Sequence, residues 1–203
     1  LLGEDHRAVL FDSRSLDSDQ VSFPLSERGL ALLVIDTGIE RATDLAAERF
    51  SEREEASDAV KISSLRELSP KSLPEHRDSL SAVTYRRAQH IVNENQRVLD
   101  AAKALRTEGP ESLGEILSAS QASLRDDYDA SGKEIDLAVE TCLAQGAYGA
   151  RMTGLGESGA LYALVDESNL SLLQVALDGA FTEHGYQAPA TYVVGPSRGA
   201  LRH

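Results

Sequence analysis

The residues best suited to chemistry lie in one run, Gly149-Ala150-Arg151-Met152-Thr153-Gly154-Leu155-Gly156-Glu157-Ser158-Gly159. Glycines at this density allow positive φ and let a backbone come close to a ligand. Successive amide groups in such a loop form a concavity that suits an anion. Gly154, Gly156 and Gly159 satisfy G-x-G-x-x-G by spacing. That pattern signals a dinucleotide when it follows a strand and opens a helix. Here a helical pattern comes before it and an apolar strand after it, which argues against that fold. A P-loop fails too, because no Gly-Lys-Ser/Thr follows. On the residues alone, a tight helix-to-strand turn is favoured over a ligand loop.

Other constellations are weaker. His6, His76, His90, His184 and His203 are scattered. Only His90 and Glu94 share a helix at close spacing, and they read as a solvated or helix-packing pair. Arg125-Asp126-Asp127-Tyr128 gathers acids at a helix end, where a capping or surface role is favoured over cation binding. The single cysteine, Cys142, cannot form an internal disulfide. It reads as a buried structural thiol and suits a reducing cytoplasm.

The elements that must position the run follow from periodicity. Residues 8–12 and 21–25 read as strands. Residues 30–35 form a continuous apolar run ending in Asp36-Thr37-Gly38, the pattern of a buried strand. A charged helix is predicted over 44–60, and Pro70 and Pro74 bracket a break. One long helix, or two abutting ones, spans about 75–106, with Ala88, Ile91, Val92, Asn95, Leu99, Ala102 and Leu105 on one stripe. Gly109-Pro110 ends it. The next helix carries Leu113, Ile116, Leu117, Ser120 and Leu124 at 3–4 spacing. A further helix over 132–145 turns Ile135, Val139, Cys142 and Leu143 inward. Strands are predicted over 160–165 and 190–194, with a helix over 169–184 between them and Gly185 at its C′ position. This order predicts an α+β fold rather than strict βαβ winding.

The chain has 203 residues, enough for one generous domain or one and a part. Its formal net charge of -13 repels polyanions, so nucleic acid is an unsuitable partner. No apolar run approaches the roughly 18 residues of a membrane span. The first 30 residues lack a secretory signal and open in mid-fold without an initiator Met, which predicts a cut end.

Read together, several segments resemble the galactokinases, within the GHMP group of small-molecule kinases. The glycine run resembles their third motif, G-A-R-M-T-G-G-G-F-G-G. Ser118–Tyr128 resembles the stretch ending S-L-R-D-D-Y, and Arg86–Asn95 resembles the R-R-A-R-H-V-V-x-E-N helix. Leu32–Thr37 resembles the strand opening the C-terminal domain, and Tyr192 through Ala200 fits the family's tail. The matches run in order over essentially the whole chain. The resemblance implies a C-terminal GHMP domain over 29–203, with a ferredoxin-like antiparallel sheet and helices on one face. Residues 1–28 would be the strand remnant of the N-terminal domain.

It further implies transfer of the γ-phosphoryl of Mg-ATP to galactose O1 when the protein is whole. The phosphate loop, the aspartate near the sugar and its assisting arginine would lie upstream, so no catalytic or metal residue is expected in this chain. ATP would meet Thr153, Gly154, Gly156 and Gly159, and galactose or a related sugar would meet Phe50. The partner would be the missing half or a second copy. Phe50 stands where the family has a Tyr, and Leu155, Glu157 and Ser158 replace Gly, Phe and Gly. Cβ atoms at 155 and 158 are expected to strain the loop, and the Glu157 charge to oppose ATP phosphates. Gly132-Lys133 replaces Cys-Pro. A non-catalytic, galactokinase-like sugar-binding or regulatory protein is therefore the alternative.

Overall fold

The computed structural model describes residues 2–39, 44–155 and 158–199. A two-stranded hairpin comes first, β1 (Arg7–Phe11) antiparallel to β2 (Ser18–Ser22). The sequence places the second strand at 21–25. It ends earlier because Pro24 has no N–H to give to a ladder. The main sheet contains β3 (Leu30–Asp36), β4 (Gly149–Met152), β5 (Ala160–Asp166) and β6 (Ala190–Val194). Its order is β4-β5-β3-β6, and every pairing is antiparallel. Among the described residues the α-helices are α1 (Leu45–Ala59), α2 (Ala82–Thr107), α3 (Leu113–Asp126), α4 (Lys133–Ala144) and α5 (Leu170–Glu183).

Alternation along β3 explains the layering. Ala31, Leu33 and Ile35 point into the main core with Leu161, Ala163 and Val165 of β5. Ile135, Val139 and Cys142 of α4 and Leu173, Leu177 and Phe181 of α5 close over that face. The three α5 residues recur every four positions and are fully buried, each contributing about 1.5–3 kcal/mol of transfer free energy. On the opposite face, Leu30 and Leu164 pack with Phe23 and Leu25, and with Leu105, Leu113 and Leu117 from the α2–α3 corner. A third cluster, with Ala56, Leu65, Leu73, Ala88 and Val92, joins α1 to α2.

The long helix begins at Ala82, not at 75. Residues 73–79 form a tighter 3-10 turn started by Pro74, and the Ser81 hydroxyl then accepts the Thr84 N–H at 3.0 Å, capping α2. Two residues expected inward are exposed. Leu143 lies one residue past Cys142, about 100° around α4, while Ile135, Val139 and Cys142 take the buried side. Leu99 lies along a cleft of about 430 Å³ with Phe11 and Val98. Cys142 is buried as expected, and burial pushes its thiol up to about 12.

The two sheet edges differ. At β4, the Met152 N–H donates to Gln121 Oε1 of α3 at 2.9 Å, so a helix side chain covers that edge. Gly114 of α3 and Gly149 of β4 let the two backbones meet: a Cβ on Gly114 would lie 2.2 Å from Tyr148 O. At the other edge, β6 exposes Tyr192, Val193 and Val194. No helix among the described residues is long and apolar enough to cross a membrane.

Candidate functional site

The glycine run is not a helix-to-strand turn. Its first four residues are β4, so the loop joins β4 to β5 as a β-hairpin. The sequence missed β4 because Gly149 and Ala150 are poor strand formers and the strand is only four residues long. Met152 pairs with Leu161 at the root of the loop, and the Thr153 N–H donates to Ala160 O at 2.9 Å. At the far end, the carbonyl of Gly159 accepts from both the Thr37 N–H (3.2 Å) and the Thr37 hydroxyl (2.8 Å). Thr37 is buried directly after β3, so the end of the central strand holds the loop.

Gly154 has φ +52° and a side facing open space, and Gly159 has φ +66°. A Cβ on Gly159 would meet Ile39 O at 2.4 Å and Thr37 Oγ1 at 2.6 Å. Gly159→Ala is therefore expected to cost about 1–3 kcal/mol from the left-handed φ and the clash. Hydrogen exchange should show the Thr37 amide losing protection; unchanged protection and stability would refute the clamp. Gly156 and Glu157 lie outside the described residues. Leu155 does not adopt positive φ, which corrects the expected strain at that position. Leu155 instead packs against the main core.

A partly buried polar set fixes the other root of the loop. Arg151 Nε donates to Ser120 Oγ at 2.7 Å, its Nη1 to Met152 O at 2.9 Å, and its Nη2 to Glu94 Oε1 at 3.3 Å. Glu94 also accepts from the Ser120 hydroxyl and from Arg97, both at 2.7 Å. Burial pushes the Glu94 carboxyl up, but these hydrogen bonds and the two arginine charges outweigh it and hold it below the usual value. Sequence reasoning missed Thr37, Ser120, Gln121 and Arg151 as loop supports. The available signals were Thr37 at the end of an apolar strand and Arg151 inside the run itself.

His90 and Glu94 are both interior, each with its own partners. His90 stacks on Tyr128 with ring centres 4.3 Å apart, and its Nδ1 lies 3.0 Å from Ser123 Oγ. Asp126 pairs with Arg125 at the surface, and Asp127 accepts from Ser123 at 2.8 Å. Among the described residues, no three His, Cys, Asp or Glu side chains are placed to hold a metal ion. Thr153, Gly154 and Gly159 come together in the hairpin. Phe50 belongs to another element, the exposed side of α1, with the Arg53 guanidinium 4.5 Å from its ring centre.

A hairpin clamped to an inner strand of an antiparallel sheet, with α4 and α5 over one face and the α2–α3 corner on the other, matches known proteins. A family model described as GHMP kinases C terminal matches residues 101–182. The chain is 32% identical to a galactokinase of Streptomyces coelicolor over 203 residues, covering 98% of the chain and 52% of that relative. It is 39% identical to a human galactokinase over 173 residues, covering 83% of the chain and 43% of the relative. A crystal structure of Lactococcus lactis galactokinase complexed with galactose superposes with a TM-score of 0.88 at 34% identity, over 96% of this chain and 52% of that one. A mevalonate kinase from L. major, 23% identical with a TM-score of 0.54, shares the fold.

The fold is thus that of a GHMP kinase C-terminal domain, the family whose model matches residues 101–182. Within that family it is similar to galactokinases, and it spans about half the length of the curated relatives it matches.

Proposed function

We propose that this chain is the C-terminal half of a cytoplasmic galactokinase. Joined to an N-terminal half, it transfers the γ-phosphoryl of Mg-ATP to the O1 hydroxyl of galactose. The observation that carries the reading is the match to galactokinases over nearly the whole chain, in sequence and in fold. The hairpin loop fits a polyphosphate neighbour: Gly154 leaves open space, and Thr37 and Arg151 hold the loop's two roots. This chain contributes the loop wall, through Thr153, Gly154, Gly156 and Gly159, and the sugar-facing ring of Phe50. Magnesium arrives with the nucleotide. Positioning and charge neutralisation dominate phosphoryl transfer, and the groups for proton and charge transfer belong to the other half.

Residues 1–28 form the end of the N-terminal domain, and residues 29–203 the C-terminal one. The hairpin β1–β2 supports this division, because a two-stranded hairpin is marginal alone and gains from added strands. The other half, or a second copy, is the expected partner for it.

Galactose-dependent ADP formation tests the reading. The 203-residue chain alone should be inactive, and the full-length parent active. Phe50 favours a second reading, a sugar-binding protein without turnover, because Phe cannot pair a sugar hydroxyl and a buried unpaired hydroxyl costs about 1–3 kcal/mol. A full-length parent that binds galactose without forming ADP would decide for that reading.

A further inference from the structure

Among the described residues two arginines are almost completely buried: Arg49 on α1 is 6% exposed and Arg87 on α2 is 4% exposed. Buried charge is tolerated only when paired and hydrogen-bonded. One carboxylate serves both cations. Glu52 Oε2 lies 2.5 Å from Arg49 Nη1 and 3.4 Å from Arg87 Nε. Three further donors reach the turn after α3. Arg49 Nε donates to Tyr128 O at 3.0 Å, and Arg87 Nη1 donates to Asp127 O at 2.6 Å. Arg87 Nη2 reaches Asp129 Oδ2 at 3.2 Å. Three segments (α1, α2 and the 127–129 turn) are tied together around Glu52.

Helix α1 has little else to orient it. Its buried residues are Leu45, Arg49, Ala56 and Ser57, of which only Leu45 and Ala56 are apolar. An ordinary surface helix is turned by an apolar stripe. This one is turned largely by an inward arginine. Arg49 immediately precedes Phe50, so the rotation that buries Arg49 turns the Phe50 ring outward, 57% exposed beside Arg53.

We propose that Glu52 is a positioning residue for Phe50: by holding Arg49 inward it sets the rotation of α1 and the presentation of the ring to the sugar, and the Arg87 charge in turn keeps the Glu52 carboxylate in place. This rests on the reading of Phe50 as a sugar contact. Without the Glu52 charge, the two buried guanidiniums keep two backbone carbonyls, the Tyr128 ring and the exposed Asp129, and Arg49 turns toward solvent.

The test combines kinetics of the full-length kinase with a ring probe in the 203-residue chain. Glu52→Gln should raise the galactose KM on the order of tenfold while the ATP KM stays within about twofold, as a displaced contact predicts. With the four phenylalanines replaced by 4-fluorophenylalanine, and the Phe50 resonance assigned by Phe50→Tyr, Glu52→Gln should move that resonance. A raised galactose KM in Phe50→Ala with an unchanged one in Glu52→Gln overturns the proposal. An unchanged galactose KM in Phe50→Ala removes the sugar-contact reading instead; the fluorine resonance then decides, with movement supporting the positioning role and no movement overturning it. If Glu52→Gln does not fold, Glu52→Asp, which keeps the charge and shortens the reach, is read in the same way.

Discussion

Gly114→Ala is expected to destabilise the protein by about 2–3 kcal/mol, read as a lower urea midpoint at constant slope. The sign is the informative part. Gly114 lies in helix α3, where Ala would ordinarily add up to about 1 kcal/mol of helix propensity. Here the new Cβ would meet Tyr148 O at 2.2 Å and Tyr148 C at 2.6 Å, both backbone atoms that cannot rotate away. The helix must lift from β4, loosening the bond from Met152 N–H to Gln121 and with it one root of the hairpin loop. Gly149→Ala should behave alike, since its Cβ would meet Gly114 O at 2.2 Å. Both substitutions push on one contact, so the double variant should cost less than the sum. A stabilised Gly114→Ala would show that α3 and β4 stand further apart than described.

The second large effect is a loss of stability in mild acid. Burial is the main cause that lowers His90 to about 4, with the Arg97 and Arg151 charges adding to it; Glu94 and Asp127 oppose. The unfolded imidazole titrates near 6.5. Between those values the unfolded chain binds more protons than the folded one, so stability rises with pH across this window. The contribution is fully present above about 6.5 and is lost as pH falls toward 4, approaching about 3 kcal/mol. His90→Gln should flatten the slope between pH 6.5 and 4. Glu94, held low in the fold, adds its own loss in the more acidic range, below its ordinary value of 4.5. An unchanged slope in His90→Gln would mean that His90 is protonated in the fold.

Much of the fold was legible because the apolar pattern is regular. The run over 30–35 has the pattern of a buried strand, the 3–4 spacing of α3 has a helical reading, and Gly185 marks the end of α5. Failures came where packing outvoted pattern. β4 carries too little strand propensity to be seen, and it forms because β5 pairs with it on one side and α3 covers the other. Leu99 and Leu143 have the right residue type, but other residues on the same helices reach the core first. The loop itself was found from its glycines. Its supports were not, because Thr37, Ser120 and Gln121 act through bonds spanning 122, 26 and 31 residues, which no local window contains. Leu155 shows the converse: a departure from the family pattern that the structure uses as an anchor rather than suffers as strain.

The central place of β3 has a consequence for biosynthesis. Its pairing partners, β5 and β6, begin at residues 160 and 190, while β3 ends at 36. A ribosome adding about 5–20 residues per second needs roughly 6–25 s to make that intervening stretch. For about that long after it leaves the exit tunnel, Leu30-Ala31-Leu32-Leu33-Val34-Ile35, an uncharged β-prone segment, waits for its first sheet partner to emerge. A stretch that needs protection during translation is therefore one that ends up in the core of the folded sheet.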